Sequence, residues 1–176
     1  MSSKNREIYI VLSHTGTVLS KLVKVFTRAE FSHVSISLDK ELNGMYSFGR
    51  LNPYNPFIGG FVHEGINIGT FNRFQKTKAE IFSIKVTEVQ YNKIKEEIKN
   101  FETNKLLYKF NIIGLILAGI DLKYKRENHF YCAEFVKYLF DVAGIDMNLS
   151  TPVKPMYFKV EEQVELLYNG LLKNYI

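Results

Sequence analysis

The sequence predicts an α+β fold with a central antiparallel sheet and helices packed against it. Short apolar or alternating segments, which are typical of strands, lie toward both ends of the chain, whereas helical spacing dominates from Thr87 to Gly144. This segregation of strands from helices is typical of α+β proteins, in which the sheet is antiparallel. The chain has 176 residues, of which 46% are hydrophobic, so we expect one domain, residues 1–176, with a substantial core.

Four elements are predicted in the first fifty residues. Ile8–Ser13 is a short apolar run and predicts a buried strand. Thr15–Arg28 carries apolar residues at helical spacing and predicts an amphipathic helix. Ser32–Asp39 alternates between polar and apolar residues, which predicts a strand with one face on the core. A turn then leads into Met45–Arg50, so these two strands are expected to form a hairpin.

The middle of the chain is expected to contain a loop, two strands and a helix. The prolines and glycines of "LNPYNPFIGG" predict an ordered loop, and "HEGINIGTF" and "AEIFSIKV" predict strands. Thr87 and Gln90 fit a capping box, which predicts a helix that starts there and runs to Glu102 or close to it. The residues that this helix is expected to bury are Val89, Ile94, Ile98 and Phe101.

Two further helices and a hairpin are predicted in the last third of the chain. Asn111–Gly119 predicts a short apolar helix, and a second helix is expected from a cap at Asn128 to the vicinity of Gly144. Near the end, Asn169 and Gly170 separate two apolar runs, which predicts a β-hairpin.

Charge and cysteine content exclude several classes of function. The net charge is +5, and the densest basic run, Lys123–Arg126, is too short to indicate a nucleic-acid partner. A single cysteine cannot form an internal disulfide or a zinc site of cysteine ligands, and we expect no cofactor. The apolar run near the start is too short for a signal peptide. Phe110–Leu122 is too short to cross a bilayer and is interpreted as a buried or interfacial helix, so a cytoplasmic protein is expected.

The single cysteine, Cys132, lies near the start of a predicted helix, in "NHFYCAEFV". Val136, Leu139 and Ala143 follow it at helical spacing, so Cys132 belongs to the stripe that faces the core. One interpretation is a small core residue. The other is a nucleophile where the core meets a cleft, since the helix dipole and free amides favour the thiolate and could hold a developing oxyanion.

A thiolate nucleophile also needs a base. The chain has four histidines: His14, His33, His63 and His129. His33 opens the alternating strand and points, with Ser35 and Ser37, away from the apolar face of that strand. Because this polar face could be the floor of a cleft in a sheet covered by helices, His33 is the preferred candidate.

Three motifs occur in a characteristic order. His33 opens "SHVSISLD", "MYSFGR" follows after a tight turn, and Cys132 lies in "FYCAEFV" on a late helix. This order resembles the circularly permuted branch of the NlpC-type papain-like superfamily, which includes YiiX/YaeF-like proteins and the lecithin retinol acyltransferase-like group. The resemblance spans residues 14–144 and implies a permuted papain-like fold, with Cys132 as nucleophile and His33 as general base.

The resemblance also implies a third residue, commonly His or Glu, on the strand after the histidine strand. The matching position here is Ser47, whose hydroxyl can accept the ring N–H of His33 but cannot stabilise an imidazolium as a carboxylate can. Glu64 or His63 from the next strand is an alternative partner. Backbone amides at the helix start, helped by Tyr131, would form an oxyanion hole.

The function that the resemblance implies is a cysteine-dependent hydrolase or acyltransferase that acts on an amide, thioester or ester bond of a small-molecule, peptide or acylated substrate. The apolar loop "NPYNPFIGGF" and the Asn111–Gly119 helix would suit an acyl chain. An alternative is a non-catalytic module of the same fold that binds a lipid or peptide, which the serine at Ser47 favours. A third interpretation is peripheral membrane contact, because "TVLSKLVKVFTRAEF" is basic and amphipathic.

Overall fold

Six strands form one antiparallel sheet in a computed structural model that describes residues 5–16, 30–52 and 54–175. The order across the sheet is β4-β3-β2-β1-β5-β8, and two shorter strands, β6 and β7, pair in parallel beside it. The strands are β1 (Asn5–His14), β2 (His33–Ser37), β3 (Met45–Asn52), β4 (Asn55–Glu64), β5 (Lys78–Thr87), β6 (Lys109–Phe110), β7 (His129–Phe130) and β8 (Val164–Leu171). From residue 17 onward, the predicted helix Thr15–Arg28 lies outside the described residues.

The helices of the described part follow the strands in sequence. They are α1 (Gly69–Arg73), α2 (Glu88–Thr103), α3 (Ile112–Gly119) and α4 (Cys132–Ala143), with 3₁₀ turns at Pro155–Val160 and Leu172–Asn174. None of these helices has both the length and the apolar character needed to cross a lipid bilayer.

The sheet is covered on both faces, and this explains the continuous apolar run of β1. Ile8 and Ile10 face the main core, whereas Tyr9 and Val11 face a smaller cluster on the opposite side. Helices α2 and α4 pack against the main-core face of the sheet and against each other. The helix residues buried in this core include Ile94, Ile98, Phe101, Phe135, Val136 and Leu139.

Several predictions about this architecture are confirmed. The fold is α+β with an antiparallel sheet, and β2 lies in its interior between β3 and β1. Strands β2 and β3 form the predicted hairpin, with Ile36 opposite Tyr46. The capping box at the start of α2 is present, since the Thr87 hydroxyl accepts the Gln90 N–H and the Gln90 side chain accepts the Thr87 N–H. Val89, however, is 65% exposed, so its predicted burial is wrong.

The predicted loop "LNPYNPFIGG" is a second hairpin. Strand β3 continues to Asn52 and pairs with Asn55 at the start of β4. The loop was predicted because proline disfavours strands, but Pro56 lies in β4, which is the edge strand, where a residue without a backbone N–H is tolerated. The strand predicted for "HEGINIGTF" is also wrong in its second half, since β4 ends at Glu64 and α1 begins at Gly69.

The predicted hairpin at Asn169 and Gly170 is wrong as well. Both residues lie within β8, where Asn169 pairs with Glu80 of β5. The Asn169 side-chain amide also donates to the Glu80 carboxylate at 3.1 Å. The long-range ladder with β5 therefore overrides the local turn preference of the Asn-Gly pair.

Helix α4 begins three residues later than predicted. The cap is Tyr131 rather than Asn128, so Cys132 is the first helical residue. The delay arises because His129 and Phe130 are extended and pair with β6. The end of the helix is as predicted, since Gly144 closes it in the left-handed conformation at φ +68°.

Candidate active site

A cleft at the end of β2 brings together His33 and Cys132. His33 is the first residue of β2 and Cys132 the first residue of α4, which packs on β2 and β3. The thiol lies within hydrogen-bonding reach of the imidazole. The two residues are therefore neighbours, as the sequence predicted.

The partner of the imidazole is a carboxylate. Both oxygens of Glu64 lie 3.1 Å from His33 Nε2. Ser35 contacts both residues. Its hydroxyl donates to Glu64 Oε2 at 2.6 Å and lies 3.3 Å from His33 Nε2. The side chain of Glu64 is 8% exposed and that of His33 is 20% exposed, so this pair is largely shielded from solvent.

The assignment of Ser47 as the partner of His33 is therefore wrong. The Ser47 hydroxyl is fully buried and donates to the backbone carbonyl of Val34 at 2.7 Å. On β3 it is Gly49 that approaches the ring, because a Cβ there would lie 3.3 Å from His33 Cε1. The alternative that the sequence left open, Glu64 on the strand beyond, is the one that the structure places at the imidazole.

Burial and the neighbouring charges shift the pKa values of His33 and Glu64. Burial lowers the pKa of His33, but the Glu64 carboxylate and the Cys132 thiol together raise it well above the usual value of an imidazole. Burial raises the pKa of Glu64, yet His33, Ser35 and the positive charge of Arg50 bring it below its usual value. Both shifts favour a carboxylate–imidazolium pair at neutral pH.

Backbone amides surround Cys132 at the start of α4. The first amides of a helix have no partner within it, so the Cys132 N–H is free of the helical ladder. Glu134 accepts the Tyr131 N–H at 3.2 Å and thereby caps the helix. The Tyr131 hydroxyl was expected to help form the oxyanion hole. This expectation is wrong, because the hydroxyl is buried and donates to the Val153 carbonyl at 3.0 Å.

The other three histidines contact groups other than the thiol. The His14 ring lies 3.3 Å from the hydroxyl of Ser32. His63 stacks on Tyr46 with ring centroids 5.0 Å apart. His129 Nδ1 lies 2.7 Å from a backbone carbonyl oxygen beside it in the chain. Of the four histidines, all of which lie in the described ranges, His33 is the one that lines the cleft with Cys132.

The cleft is apolar around its polar centre and encloses a cavity of about 70 Å³. Its walls include four large apolar side chains, Phe48, Phe71, Phe110 and Leu115. Leu115 belongs to α3, the apolar helix that was expected to suit an acyl chain. Gly59, within the segment predicted as an apolar loop, also lines it and lets the Phe110 ring approach, since a Cβ there would lie 2.9 Å from that ring.

Two residues of the cleft were missed by sequence reasoning. Arg50 lines it, and within residues 5–16, 30–52 and 54–175 no carboxylate lies within 4 Å of its guanidinium. Burial lowers its pKa. Gly49 was also missed, although an isolated glycine inside the strand "MYSFGR" is a signal for close approach of another group.

No protein-family model matches this chain, and a search of curated proteins found no similar sequence. Within the part of the chain that the structure describes, no three His, Cys, Asp or Glu side chains are grouped so as to hold a metal ion.

Proposed function

We propose that the protein is a cysteine-dependent hydrolase or acyltransferase that acts on an amide, thioester or ester bond. The observation that supports this most directly is the arrangement of thiol, imidazole and carboxylate: Cys132 within reach of His33, and His33 held by Glu64 at 3.1 Å. Nucleophile, base and orienting group in this order are the components of covalent acyl transfer.

In the proposed reaction the resting pair is a thiolate and an imidazolium. The Glu64 carboxylate accepts a hydrogen bond from the Nε2–H of His33, which leaves Nδ1 to exchange a proton with the thiol. Cys132 Sγ attacks the substrate carbonyl carbon, and the carbonyl oxygen becomes an oxyanion near the free N–H at the start of α4. The imidazolium then protonates the leaving amine, alcohol or thiol as the carbon–heteroatom bond breaks.

The second half of the reaction releases the acyl group from Cys132. Neutral His33 takes a proton from a water molecule or an acceptor, whose oxygen, nitrogen or sulfur attacks the thioester carbonyl. The tetrahedral intermediate collapses and expels the thiolate, and His33 is again protonated. With water the product is a carboxylic acid, and with another acceptor it is a transferred acyl group.

We also propose that the fold is a permuted papain-like one. Three features support this assignment: the histidine opens a strand in the interior of an antiparallel sheet, the cysteine opens a helix that packs on that sheet, and the strand precedes the helix in the chain. The serine at Ser47 favoured a non-catalytic module. Glu64 supplies the carboxylate that Ser47 lacks, so Ser47 no longer favours that alternative.

The substrate is proposed to carry an acyl group of apolar character. Phe71, Phe110 and Leu115 give the cleft apolar walls, and apolar walls around a few polar groups are typical of sites for small organic ligands. The substrate is therefore better described as an acyl ester, thioester or amide than as a highly charged peptide.

The experiment that tests the function is detection of the acyl-enzyme. The protein is mixed with p-nitrophenyl esters of short and medium acyl chains and, separately, with cell-wall dipeptides, and is quenched in acid for intact-mass analysis. We expect ester hydrolysis and an added acyl mass on Cys132, both absent in Cys132→Ala. Folded protein that gains no acyl mass and hydrolyses neither class would contradict the catalytic proposal, whereas a preference for the dipeptides would reject only the acyl substrate.

A further inference from the structure

Helix α3 is apolar on every side but is covered on only one. Gly114, Leu115 and Ala118 face the protein and are buried. The opposite side carries isoleucines at helical spacing that are between 36% and 57% exposed: Ile112, Ile113, Ile116 and Ile120. We call these four residues the α3 isoleucine face.

The exposed isoleucines are unusual because they are grouped on one side of a single helix. Single exposed apolar side chains are common on protein surfaces, whereas a contiguous group of large ones marks a binding surface. Leu122, two residues after Ile120, is also exposed, at 54%. No charged residue interrupts the eight residues of α3. The packing of the fold does not require four isoleucines on the outer side of this helix.

Positive charge lies on both sides of α3 in the sequence. Lys109 precedes the helix, and Lys123, Lys125 and Arg126 follow it, all of them exposed. None of these four cations has a carboxylate within 4 Å in the described ranges. The acidic Asp121 is already paired, since Lys154 Nζ lies 2.7 Å from its carboxylate. Glu127, also exposed, is outnumbered by these cations, so the segments that flank α3 carry a net positive charge.

We propose that the α3 isoleucine face docks on an anionic lipid surface. Exposed isoleucines would enter the boundary between headgroups and acyl chains, and the flanking cations would lie at the level of the anionic headgroups. A helix of eight residues is too short to cross the bilayer, so it would lie in the plane of the interface. The cationic surroundings favour this partner over a second copy of the chain, whose own positive charges would repel them.

The docked orientation also brings the cleft to the lipid. Leu115 of α3 and the neighbouring Phe110 both line the cleft that contains Cys132. Contact through α3 would therefore bring a wall of the cleft to the lipid surface. This last step rests on the proposed function, whereas binding to the lipid surface does not.

Vesicle flotation tests the binding. Full-length protein is mixed with vesicles of phosphatidylcholine alone or of phosphatidylcholine with about one-third phosphatidylserine, the bound fraction being measured over a range of salt. We expect binding to the anionic vesicles that weakens with salt. Cys132→Ser should bind equally well, so that a failure of catalysis is distinguishable from a failure of binding. Equal binding to both vesicles, or none to either, would overturn the proposal.

Matched variants locate the surface. The double change Ile113→Ser and Ile116→Ser should weaken binding by roughly tenfold or more, from the loss of buried apolar area. A parallel control at an exposed apolar residue of α2, Val89→Ser, should have no effect. Protein that binds vesicles undiminished by the double change would refute the assignment to α3.

Charge variants and the oligomeric state complete the test. Lys123→Gln and Lys125→Gln should each weaken binding about fivefold at low salt, and the control Lys93→Gln on α2 should not. Light scattering on the protein without vesicles tests whether a second copy of the chain, and not lipid, covers the α3 isoleucine face. A stable dimer that the isoleucine changes dissociate, together with no vesicle binding, would assign the α3 isoleucine face to self-association instead.

Discussion

Replacing Glu64 by glutamine removes the negative charge from the imidazole partner and keeps its shape. Glu64→Gln leaves an amide oxygen that can still accept the Nε2 proton of His33, so the ring orientation is expected to survive. What changes is the relative stability of imidazolium and imidazole. We predict that the pKa of His33 falls and that the thiolate form of Cys132 loses its cationic partner at neutral pH.

The size of this fall follows from the geometry. At the 3.1 Å separation of Nε2 and the carboxylate, the Coulomb attraction is about 5 kcal/mol for an effective dielectric constant of about 20. This is an upper bound, since the His33 side chain is 20% exposed and solvent screens the pair. A charge-assisted hydrogen bond contributes about 1.5–3 kcal/mol, and one pKa unit is about 1.4 kcal/mol. We therefore expect the His33 pKa to fall by about one to two units.

The assay is an NMR titration of the histidine Cε1–H signals in the native protein, Glu64→Gln and a control, Glu102→Gln, which changes an exposed carboxylate of α2. The His33 signal is identified by its loss in His33→Ala. Glu64→Gln should shift its midpoint to lower pH, and the control should leave it unchanged. An unaltered midpoint in Glu64→Gln would refute the claim that Glu64 sets the charge of His33.

Glu64→Gln is also predicted to lower the free energy of unfolding. The folded pKa of Glu64 is lowered, so its contribution is present above the usual carboxyl pKa and is lost as pH falls through the lowered value. The folded pKa of His33 is raised, so its contribution is present below the usual imidazole pKa and is lost as pH rises through the raised value. Urea unfolding should therefore show the largest loss in Glu64→Gln at about pH 5–6, of about 1.5–3 kcal/mol.

Three further changes test the surroundings of the pair. Ser35→Ala removes the hydroxyl that donates to Glu64 at 2.6 Å. The pKa of Glu64 should therefore rise, and the acid limb of the pH–rate profile should move to higher pH. An acid limb that does not move would contradict the role of Ser35 as a hydrogen-bond donor to Glu64. Gly49→Ala adds a Cβ 3.3 Å from His33 Cε1, and we expect kcat to fall roughly tenfold by displacement of the ring, with an unchanged circular dichroism spectrum; full activity would show that the ring has room. Gly144→Ala places a side chain on a residue with φ +68°. The backbone strain should lower Tm by roughly 2–6 °C without changing the activity per folded molecule. An unchanged Tm would contradict the predicted strain.

Local patterns in the sequence predicted where the two principal residues of the site lie, and the resemblance to the permuted papain-like superfamily selected them as nucleophile and base. The alternation of β2 predicted which residues share a face with His33, and helical spacing predicted that Cys132 lies on the core stripe of α4. Val136, Leu139 and Ala143 are all buried in that stripe. Patterns of this kind depend only on the period of a helix or strand, so one sequence is enough to detect them.

The third member of the site depends on long-range geometry that the sequence alone does not determine. Glu64 reaches His33 only because β4, β3 and β2 are neighbours in the sheet. The resemblance pointed to the strand directly after the histidine strand and so to Ser47, and the sequence could not decide between Ser47 and the alternatives Glu64 and His63 on the strand beyond. The hairpin predicted at Asn169 failed for a similar reason, because pairing of β8 with β5 is invisible to a local turn signal.

The central claim is that Cys132 is an activated nucleophile and that His33 activates it. The most direct measurement is the rate of Cys132 alkylation by iodoacetamide, followed by intact mass from about pH 5 to pH 9, a range around the usual thiol pKa of about 8.5. We predict rapid labelling of the folded native protein at about pH 6, where an ordinary thiol is mostly protonated, and slow labelling of His33→Ala at the same pH. Labelling of the native protein only after denaturation, or an identical pH profile in His33→Ala, would contradict the claim.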